Sequence, residues 1–362
     1  MLKPRKCITG MHEYQSPLTR SSPAPHLRLD LNENTSGCSP RVLAKLRSLD
    51  AKTVALYAAR EPGEKLVAEF LGLQPAQVLL TNGADEAIDL LCRAYLEADD
   101  EIIFVTPAFA MYEIFARAVG AKMVPVPAGP EFSFPADGIL RAITPRARLI
   151  IVTNPNNPTG AIARRTDIVR IVEAAPEAAV LLDEAYFDFC GETLLDQIGK
   201  IPNLFVVRTF SKAYGLAGMR LGVLTGASEQ VLMLRRVCPP FNVNVFALEC
   251  LEEALADRKF VESYVDQVAS TREWLRHELA QLGFKCARSY TNFVFVNFGE
   301  MKDAVVEGMQ AQGIALRDRP DCPGCVRISI GTQREMDRVL AALEQIISRL
   351  RPGVSTRPGV SK

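Results

Sequence analysis

The segment Thr209-Phe-Ser-Lys-Ala-Tyr-Gly-Leu-Ala-Gly-Met-Arg-Leu-Gly222 decides how this chain is interpreted. It follows an apolar run that ends at Thr209, and its single lysine, Lys212, precedes a loop with two glycines. A lysine whose pKa is lowered by burial and by neighbouring cations can form a Schiff base with a carbonyl group. An isolated loop lysine is more often exposed, so the surrounding sequence must decide between the two interpretations.

Around this segment, short apolar runs alternate with amphipathic stretches from about residue 40 to residue 240. This alternation predicts a mostly parallel sheet with helices on both faces. The predicted helices include residues 85–97 and 166–175. The predicted strands are residues 78–81, 101–106, 122–127, 148–153, 179–183, 204–209 and 221–225.

The pattern changes after residue 241, where a long helical stretch (245–282) has no strand beside it. A strand at 292–298, a helix, a strand at 326–330 and a last helix at 334–350 follow, which predicts a smaller α+β domain. We therefore expect an N-terminal arm and part of the small domain in 1–40, a large α/β domain in 41–244, the small domain in 245–350 and a disordered tail in 351–362.

Composition excludes several classes of function. Lysine plus arginine equal aspartate plus glutamate at 42 each, which argues against nucleic-acid and membrane-surface partners. No apolar run of membrane-spanning length and no secretory signal are found, so a cytoplasmic protein is expected. With three histidines and one Cys-x-x-Cys pair, Cys322 and Cys325, no metal site is expected, and the two thiols are interpreted as part of a turn.

Two segments place polar groups where predicted strands end, which is where ligands bind in open α/β sheets. Asn82-Gly-Ala-Asp85 opens a helix, so its free N–H groups favour an anion, although an ordinary β–α turn explains the same residues. Asp183 ends a buried apolar run, where a carboxylate is costly unless a cation or strong donor pairs with it. A pyridinium nitrogen would be such a partner, and helix capping is the alternative.

The order and spacing of these segments resemble the fold-type I pyridoxal-phosphate-dependent aminotransferases of class I/II, and more closely the histidinol-phosphate aminotransferase family. The resemblance extends from about residue 14 to residue 350. Its most specific parts are Pro155-Asn-Asn-Pro-Thr-Gly160, Asp183-Glu-Ala-Tyr186 and residues 209–222. It implies a large domain with a mostly parallel seven-stranded sheet flanked by helices, and a smaller α+β domain.

The resemblance also implies roles toward the cofactor, pyridoxal 5'-phosphate. Lys212 would hold it as a Schiff base and then move a proton, and Asp183 would pair with the pyridine nitrogen. Asn157 and Tyr186 would hydrogen-bond the phenolic oxygen, and Phe109 would stack on the ring. The residues implied to hold the cofactor phosphate are Gly83, Ala84, Asp85, Thr209, Ser211 and Arg220.

For the substrate, Arg327 matches the arginine that takes an α-carboxylate with two hydrogen bonds. Arg317 and Tyr14 match segments that meet the substrate's own phosphate, and for Tyr14 a surface tyrosine of the arm is the alternative. Tyr57 matches a residue that reaches the neighbouring active site of a homodimer. The family usually has Tyr-Pro-Asp there, whereas this chain has Tyr57-Ala-Ala-Arg60, which makes that reach less certain.

The reaction implied is amino transfer between histidinol phosphate and 2-oxoglutarate in histidine biosynthesis. One alternative is an aminotransferase for aromatic or other amino acids. Another is a decarboxylase of a phosphorylated amino acid, of the kind found in cobalamin synthesis. A binding protein on the same scaffold is the third, and the full set of cofactor residues argues against it.

Overall fold

The computed structural model describes residues 2–16 and 27–351. Its strands are β1 (Leu27–Leu29), β2 (Val78–Thr81), β3 (Glu101–Thr106), β4 (Lys122–Pro127), β5 (Ala147–Thr153), β6 (Ala179–Asp183), β7 (Leu204–Thr209), β8 (Gly222–Thr225), β9 (Lys285–Cys286), β10 (Phe293–Asn297), β11 (Ile314–Asp318) and β12 (Cys325–Ser329). Its α-helices are α1 (Lys6–Thr9), α2 (Pro40–Ser48), α3 (Ala51–Ala55), α4 (Glu61–Leu71), α5 (Gly83–Tyr95), α6 (Ala110–Val119), α7 (Ala136–Ala142), α8 (Arg165–Ala174), α9 (Ser228–Val237), α10 (Val245–Ala256), α11 (Arg258–Gln281), α12 (Lys302–Ala311) and α13 (Gln333–Leu350).

Seven strands form the large sheet in the order β2-β8-β7-β6-β5-β3-β4. Strand β8 is antiparallel to both neighbours, and the other pairings are parallel. Side chains alternate between two cores: Leu149 and Ile151 of β5 join the cluster with α5, α6 and α9, while Ile150 and Val152 join the cluster with α7 and α8. A sheet covered on both faces is thus confirmed, with each predicted strand found within one residue of its expected ends.

A second sheet of five strands has the order β1-β11-β12-β10-β9. Its pairings are antiparallel except between β1 and β11, which are parallel. One face packs in a single core with residues of α11, α12 and α13, and Leu27 and Leu29 of β1 belong to that core. The other face is turned away from this core and carries the charged residues described below.

Two features of the sequence interpretation need correction. The helical stretch 245–282 is two helices, because the chain breaks at Asp257 between α10 and α11. Strand β11 was not anticipated at all, although it carries Arg317. The domain boundary expected at residue 244 stays a prediction, since α10 just beyond it packs in one cluster with Val42, Val78 and Leu80 of the preceding region.

The N-terminal region is only partly an extended arm. Residues 27–29 form an edge strand of the small sheet, and Asn32 and Asn34 just beyond them are buried. In the C-terminal tail, only Arg351 belongs to the described residues, so the expectation of disorder lies outside them. Across the described ranges, no helix has the length and apolar character needed to cross a membrane.

Candidate active site

The parallel strands bring several polar segments to one edge of the large sheet. Strands β5, β6 and β7 pair in parallel register and end at Thr153, Asp183 and Thr209. The segments that follow them, together with the start of α5 after β2, therefore meet at the same edge. Beside this edge lie residues 30–32, the continuation of β1 from the small sheet.

Lys212 has the environment of a reactive amine. Its Nζ donates a hydrogen bond to the carbonyl oxygen of Leu31 at 3.0 Å. Burial first, and then the nearby charge of Arg327, lower the pKa of Lys212 to about 8. With a pKa of about 8, a fraction of this amine is neutral at physiological pH, and the neutral form can attack a carbonyl carbon or accept a proton.

Asp183 is a buried carboxylate at the end of β6, 3% exposed. Its Oδ2 accepts a hydrogen bond from the Tyr112 hydroxyl at 2.6 Å, and its Oδ1 accepts one from the Ala185 backbone N–H at 3.0 Å. Burial raises the pKa of Asp183, and among the described residues no cation forms an ion pair with it. A buried carboxylate without a cation is the partner that a pyridinium N–H would need, so this residue fits pyridoxal phosphate.

The start of α5 and the side chain of Arg220 form a cup whose N–H groups suit an anion. The first N–H groups of a helix have no partner within the helix and favour negative charge. Gly83 opens α5 at φ +77°, and a Cβ placed on it would lie 2.5 Å from Nη2 of Arg220. Arg220 itself is held by Oδ2 of Asp85 at 2.9 Å.

The hydroxyls of Thr209 and Ser211 are hydrogen-bonded to each other at 2.9 Å. Thr209 ends β7, and Ser211 follows it on the segment that carries Lys212 and leads to Arg220. Ala84 and Asp85 stand in the first turn of α5. The residues expected to hold a cofactor phosphate are therefore brought together as helix N–H groups, hydroxyls and one guanidinium, which suits a phosphate dianion.

Residues 30–32 hydrogen-bond both Tyr186 and Arg327, and Arg327 in turn binds Asn157. Tyr186 is buried and accepts a hydrogen bond from Nδ2 of Asn32 at 2.8 Å. Arg327 donates from Nη1 to Oδ1 of Asn157 and from Nη2 to the carbonyl of Asp30, both at 2.6 Å. Burial, above all, lowers the pKa of Arg327 to about 10, and its Nε is buried without a hydrogen-bond partner in the described part of the chain. A buried guanidinium with unused donor capacity is ready for an anion.

Arg317 lies directly opposite Arg327 across β11 and β12. Its Nη2 donates to the hydroxyl of Tyr14 at 2.8 Å, so the arm and the small sheet meet at this point. Asp318 forms an ion pair with Lys302 at 2.9 Å and not with Arg317.

Tyr57 is not among the side chains gathered here. It is 83% exposed, and its ring stacks on Phe241 with centroids 4.3 Å apart. Phe109, by contrast, precedes α6 at the end of the β3 segment and packs edge-on against Tyr112 at 5.7 Å. Cys322 and Cys325 are buried free thiols bridged by a turn, in which the Cys325 N–H donates to the Cys322 carbonyl at 3.0 Å.

Sequence reasoning missed two residues of the site, Tyr112 and Asn32. Tyr112 is buried and bonds both Asp183 and the hydroxyl of Thr153. No pattern in the local sequence marked it, because its role depends on the packing of α6 against the sheet. Asn32 binds Tyr186 and Ser329, and its neighbours Leu31, Glu33 and Asn34 lie in a polar segment without periodicity, which gave no strand signal.

Comparison with known proteins agrees with this geometry. The pattern of the family described as aminotransferase class I and II matches residues 24–343. Histidinol-phosphate aminotransferase 2 of Methylococcus capsulatus is 35% identical over 335 residues, covering 89% of this chain and 90% of that protein. Histidinol-phosphate aminotransferase of Cereibacter sphaeroides is 36% identical over 332 residues, covering 88% and 90%.

Among solved structures, histidinol-phosphate aminotransferase from Sinorhizobium meliloti, in complex with pyridoxal 5'-phosphate, superimposes with a TM-score of 0.89. It is 26% identical, and the match covers 97% of this chain and 99% of that one. The extent of the sequence match and the shared fold lead to one conclusion: this chain belongs to the class I and II aminotransferases.

Proposed function

We propose that the chain is a pyridoxal-phosphate-dependent aminotransferase that moves the amino group of histidinol phosphate to 2-oxoglutarate. The relatives from Methylococcus and Cereibacter are named for histidinol phosphate, and the Sinorhizobium structure holds pyridoxal phosphate. Lys212, Asp183 and the cup at α5 fit that cofactor. A role in histidine biosynthesis agrees with the cytoplasmic location expected from the sequence.

When bound, pyridoxal phosphate supplies an electron-accepting ring that stabilises negative charge at the substrate α-carbon. The residues of this chain have separate tasks around it. Asp183 would accept a hydrogen bond from the ring nitrogen and keep that nitrogen protonated. Lys212, with a pKa lowered to about 8, would hold or release the proton at the α-carbon. Asn157 and Tyr186 would orient the ring through its phenolic oxygen.

The observation that carries the choice of substrate is the pair of arginines on β11 and β12. Arg317 and Arg327 are cross-strand neighbours, and like charges in that position repel each other. Neither forms an ion pair with a carboxylate of the described residues, because their hydrogen bonds go to a hydroxyl, an amide oxygen and a backbone carbonyl. A dianion placed between them would relieve the repulsion.

Histidinol phosphate suits this pair because it is the phosphate ester of an amino alcohol and carries no carboxylate. Both arginines are therefore available to its phosphate, and Tyr14 can add its hydroxyl. With glutamate or 2-oxoglutarate, the same Arg327 is free to take the α-carboxylate. One cationic face could in this way serve both half-reactions of a transaminase.

Replacement of Arg317 tests the proposal. Arg317→Ala should raise KM for histidinol phosphate about 10- to 150-fold, the loss expected for one charge-assisted hydrogen bond. The much weaker reaction with unphosphorylated histidinol should change only slightly. Lys302→Ala is a matched control, since Lys302 pairs with Asp318 of the same strand. Equal losses with the two substrates would assign Arg317 to the fold and remove the argument for a phosphate.

We also infer that a second copy of the chain covers the region of Tyr57 and Phe241. The exposed apolar side chains Val54 and Leu56 lie next to Tyr57 in the sequence. A stacked, exposed aromatic pair among further apolar groups is typical of a protein interface. An interface at this position agrees with a homodimer in which Tyr57 extends toward the neighbouring active site.

A further inference from the structure

The carboxyl group of Asp30 has no use in the roles assigned so far. Asp30 follows β1 and is 5% exposed. Its Oδ1 is buried without a hydrogen-bond partner among the described residues. A buried acceptor left unpaired is unfavourable, so its retention at a site points to a donor that a ligand brings.

Asp30 stands at the centre of the candidate site. Its own carbonyl accepts from Arg327, the next carbonyl, of Leu31, accepts from Lys212, and Asn32 donates to Tyr186. Three consecutive residues thus contact the groups assigned to the substrate anion, the amine and the cofactor. A donor that satisfies Asp30 would belong to a molecule held by the same groups.

The charges that act on Asp30 are those of Arg28, Arg317 and Glu33. Arg28 is already paired with Glu33, and no ion pair links Asp30 to Arg317 among the described residues. Burial, the largest influence, raises the pKa of Asp30 above its ordinary value. The carboxyl group is therefore close to the arginine pair and yet not neutralised by it.

The proposed substrate offers three polar groups. Its phosphate is repelled by a carboxylate and suits the arginines, and its amino group must stay near the cofactor and Lys212. The ring N–H of the azole is the remaining donor, and it can form a charge-assisted hydrogen bond to a carboxylate. Neither carboxylate of glutamate could use Asp30 in this way.

We propose that Asp30 is a specificity-determining residue that accepts a hydrogen bond from the azole ring N–H of the amino donor. The inference rests on the proposed function and names the enzyme group that recognises the azole ring of the substrate. Because an unpaired acceptor penalises a substrate without the donor, Asp30 would also reject phosphorylated amino alcohols that carry a plain hydrocarbon ring.

The test compares histidinol phosphate with phenylalaninol phosphate, which has the same amino and phosphate groups but no ring N–H. We expect the wild-type holoenzyme to prefer the azole compound in kcat/KM. Asp30→Ala should reduce this preference about tenfold or more, mainly by loss of activity toward histidinol phosphate. Asp30→Asn keeps an acceptor oxygen and the side-chain shape. Its preference for the azole compound should therefore lie between those of the wild type and Asp30→Ala.

Glu33→Gln is the matched control, because it removes one negative charge from the same segment but leaves Oδ1 of Asp30 in place. It should not change the preference. Equal losses for the two substrates in Asp30→Ala, or no preference in the wild type, would overturn the proposal. The comparison of histidinol phosphate with histidinol is a separate measurement, so failure of the phosphate assignment would be recognised independently.

Discussion

At the scale of single residues, the account depends on the way burial changes the chemistry of charged groups. Lys212 is brought toward neutrality by burial and by Arg327, whereas Asp183 is buried beside Tyr112 and pairs with no cation of the described ranges. A buried amine and a buried carboxylate would each be unfavourable in a protein core that binds no ligand. Together they describe a site that keeps a nucleophilic amine and a lone carboxylate for a bound group.

The lowered pKa of Lys212 leads to an expected pH dependence. Only the neutral amine attacks an aldehyde, and with a pKa of about 8 the neutral form becomes dominant above that pH. The rate at which the cofactor-free protein captures pyridoxal phosphate should therefore rise with pH and level off above about pH 8. Stopped-flow absorbance measures this rate.

A rate that keeps rising to pH 10 would show a lysine with an ordinary pKa and contradict the assignment. As a control for identity, borohydride reduction of the loaded enzyme followed by peptide mapping should place the label on Lys212. Lys212→Ala should remove transamination almost completely.

At the scale of elements, the start of α5 packs closely against the side chain of Arg220. Gly83→Ala would place a Cβ 2.5 Å from Nη2 of Arg220, at a backbone φ of +77° that disfavours side chains. We expect the affinity for pyridoxal phosphate to fall about tenfold or more, since one charge-assisted contact to phosphate would be displaced. Equilibrium titration of the cofactor measures the effect.

Gly218→Ala provides the matched comparison, because a Cβ at Gly218 meets nothing within 4 Å. It should bind the cofactor as the wild type does. If Gly83→Ala and Gly218→Ala bound the cofactor equally well, the cup at α5 would not be the phosphate site.

The large sheet could be predicted because each of its strands is a short apolar run ended by a polar residue or a turn. Strands β1 and β11 could not, for a physical reason. Each is short and contains charged residues, Arg28 in β1 and Arg317 and Asp318 in β11, and β1 pairs in the sheet with β11 alone, far along the chain. The same long-range pairing hid Asp30 and Asn32 from sequence reasoning.

For the site, the predicted residues near Lys212, Asp183 and Arg220 follow strands that sequence patterns identify, and the structure places them at one edge. Their roles remain predictions. Tyr112 was missed since its importance comes from one hydrogen bond to Asp183, which only the packing of α6 against the sheet reveals. Local sequence does not contain that information.

At the scale of the whole molecule, the site lies where the large sheet meets the small one, and the Tyr57 region is exposed elsewhere on the surface. If a second copy covers that region, Tyr57→Glu combined with Phe241→Glu should yield monomers in sedimentation velocity, because buried charges oppose association. Leu232→Glu alters another exposed apolar side chain and serves as the control. A double variant that sediments like the wild type would place the interface elsewhere.

The central claim is amino transfer from a phosphorylated amino alcohol, and single-turnover absorbance of the wild-type enzyme tests it most directly. Holoenzyme is mixed, without a keto acid, with histidinol phosphate, histidinol, phenylalanine or O-phosphothreonine. We expect the fastest conversion to the pyridoxamine form with histidinol phosphate, and recovery of the starting spectrum on addition of 2-oxoglutarate. Equal rates with histidinol or a faster reaction with phenylalanine would contradict the claim, as would release of carbon dioxide from O-phosphothreonine with an unchanged cofactor spectrum.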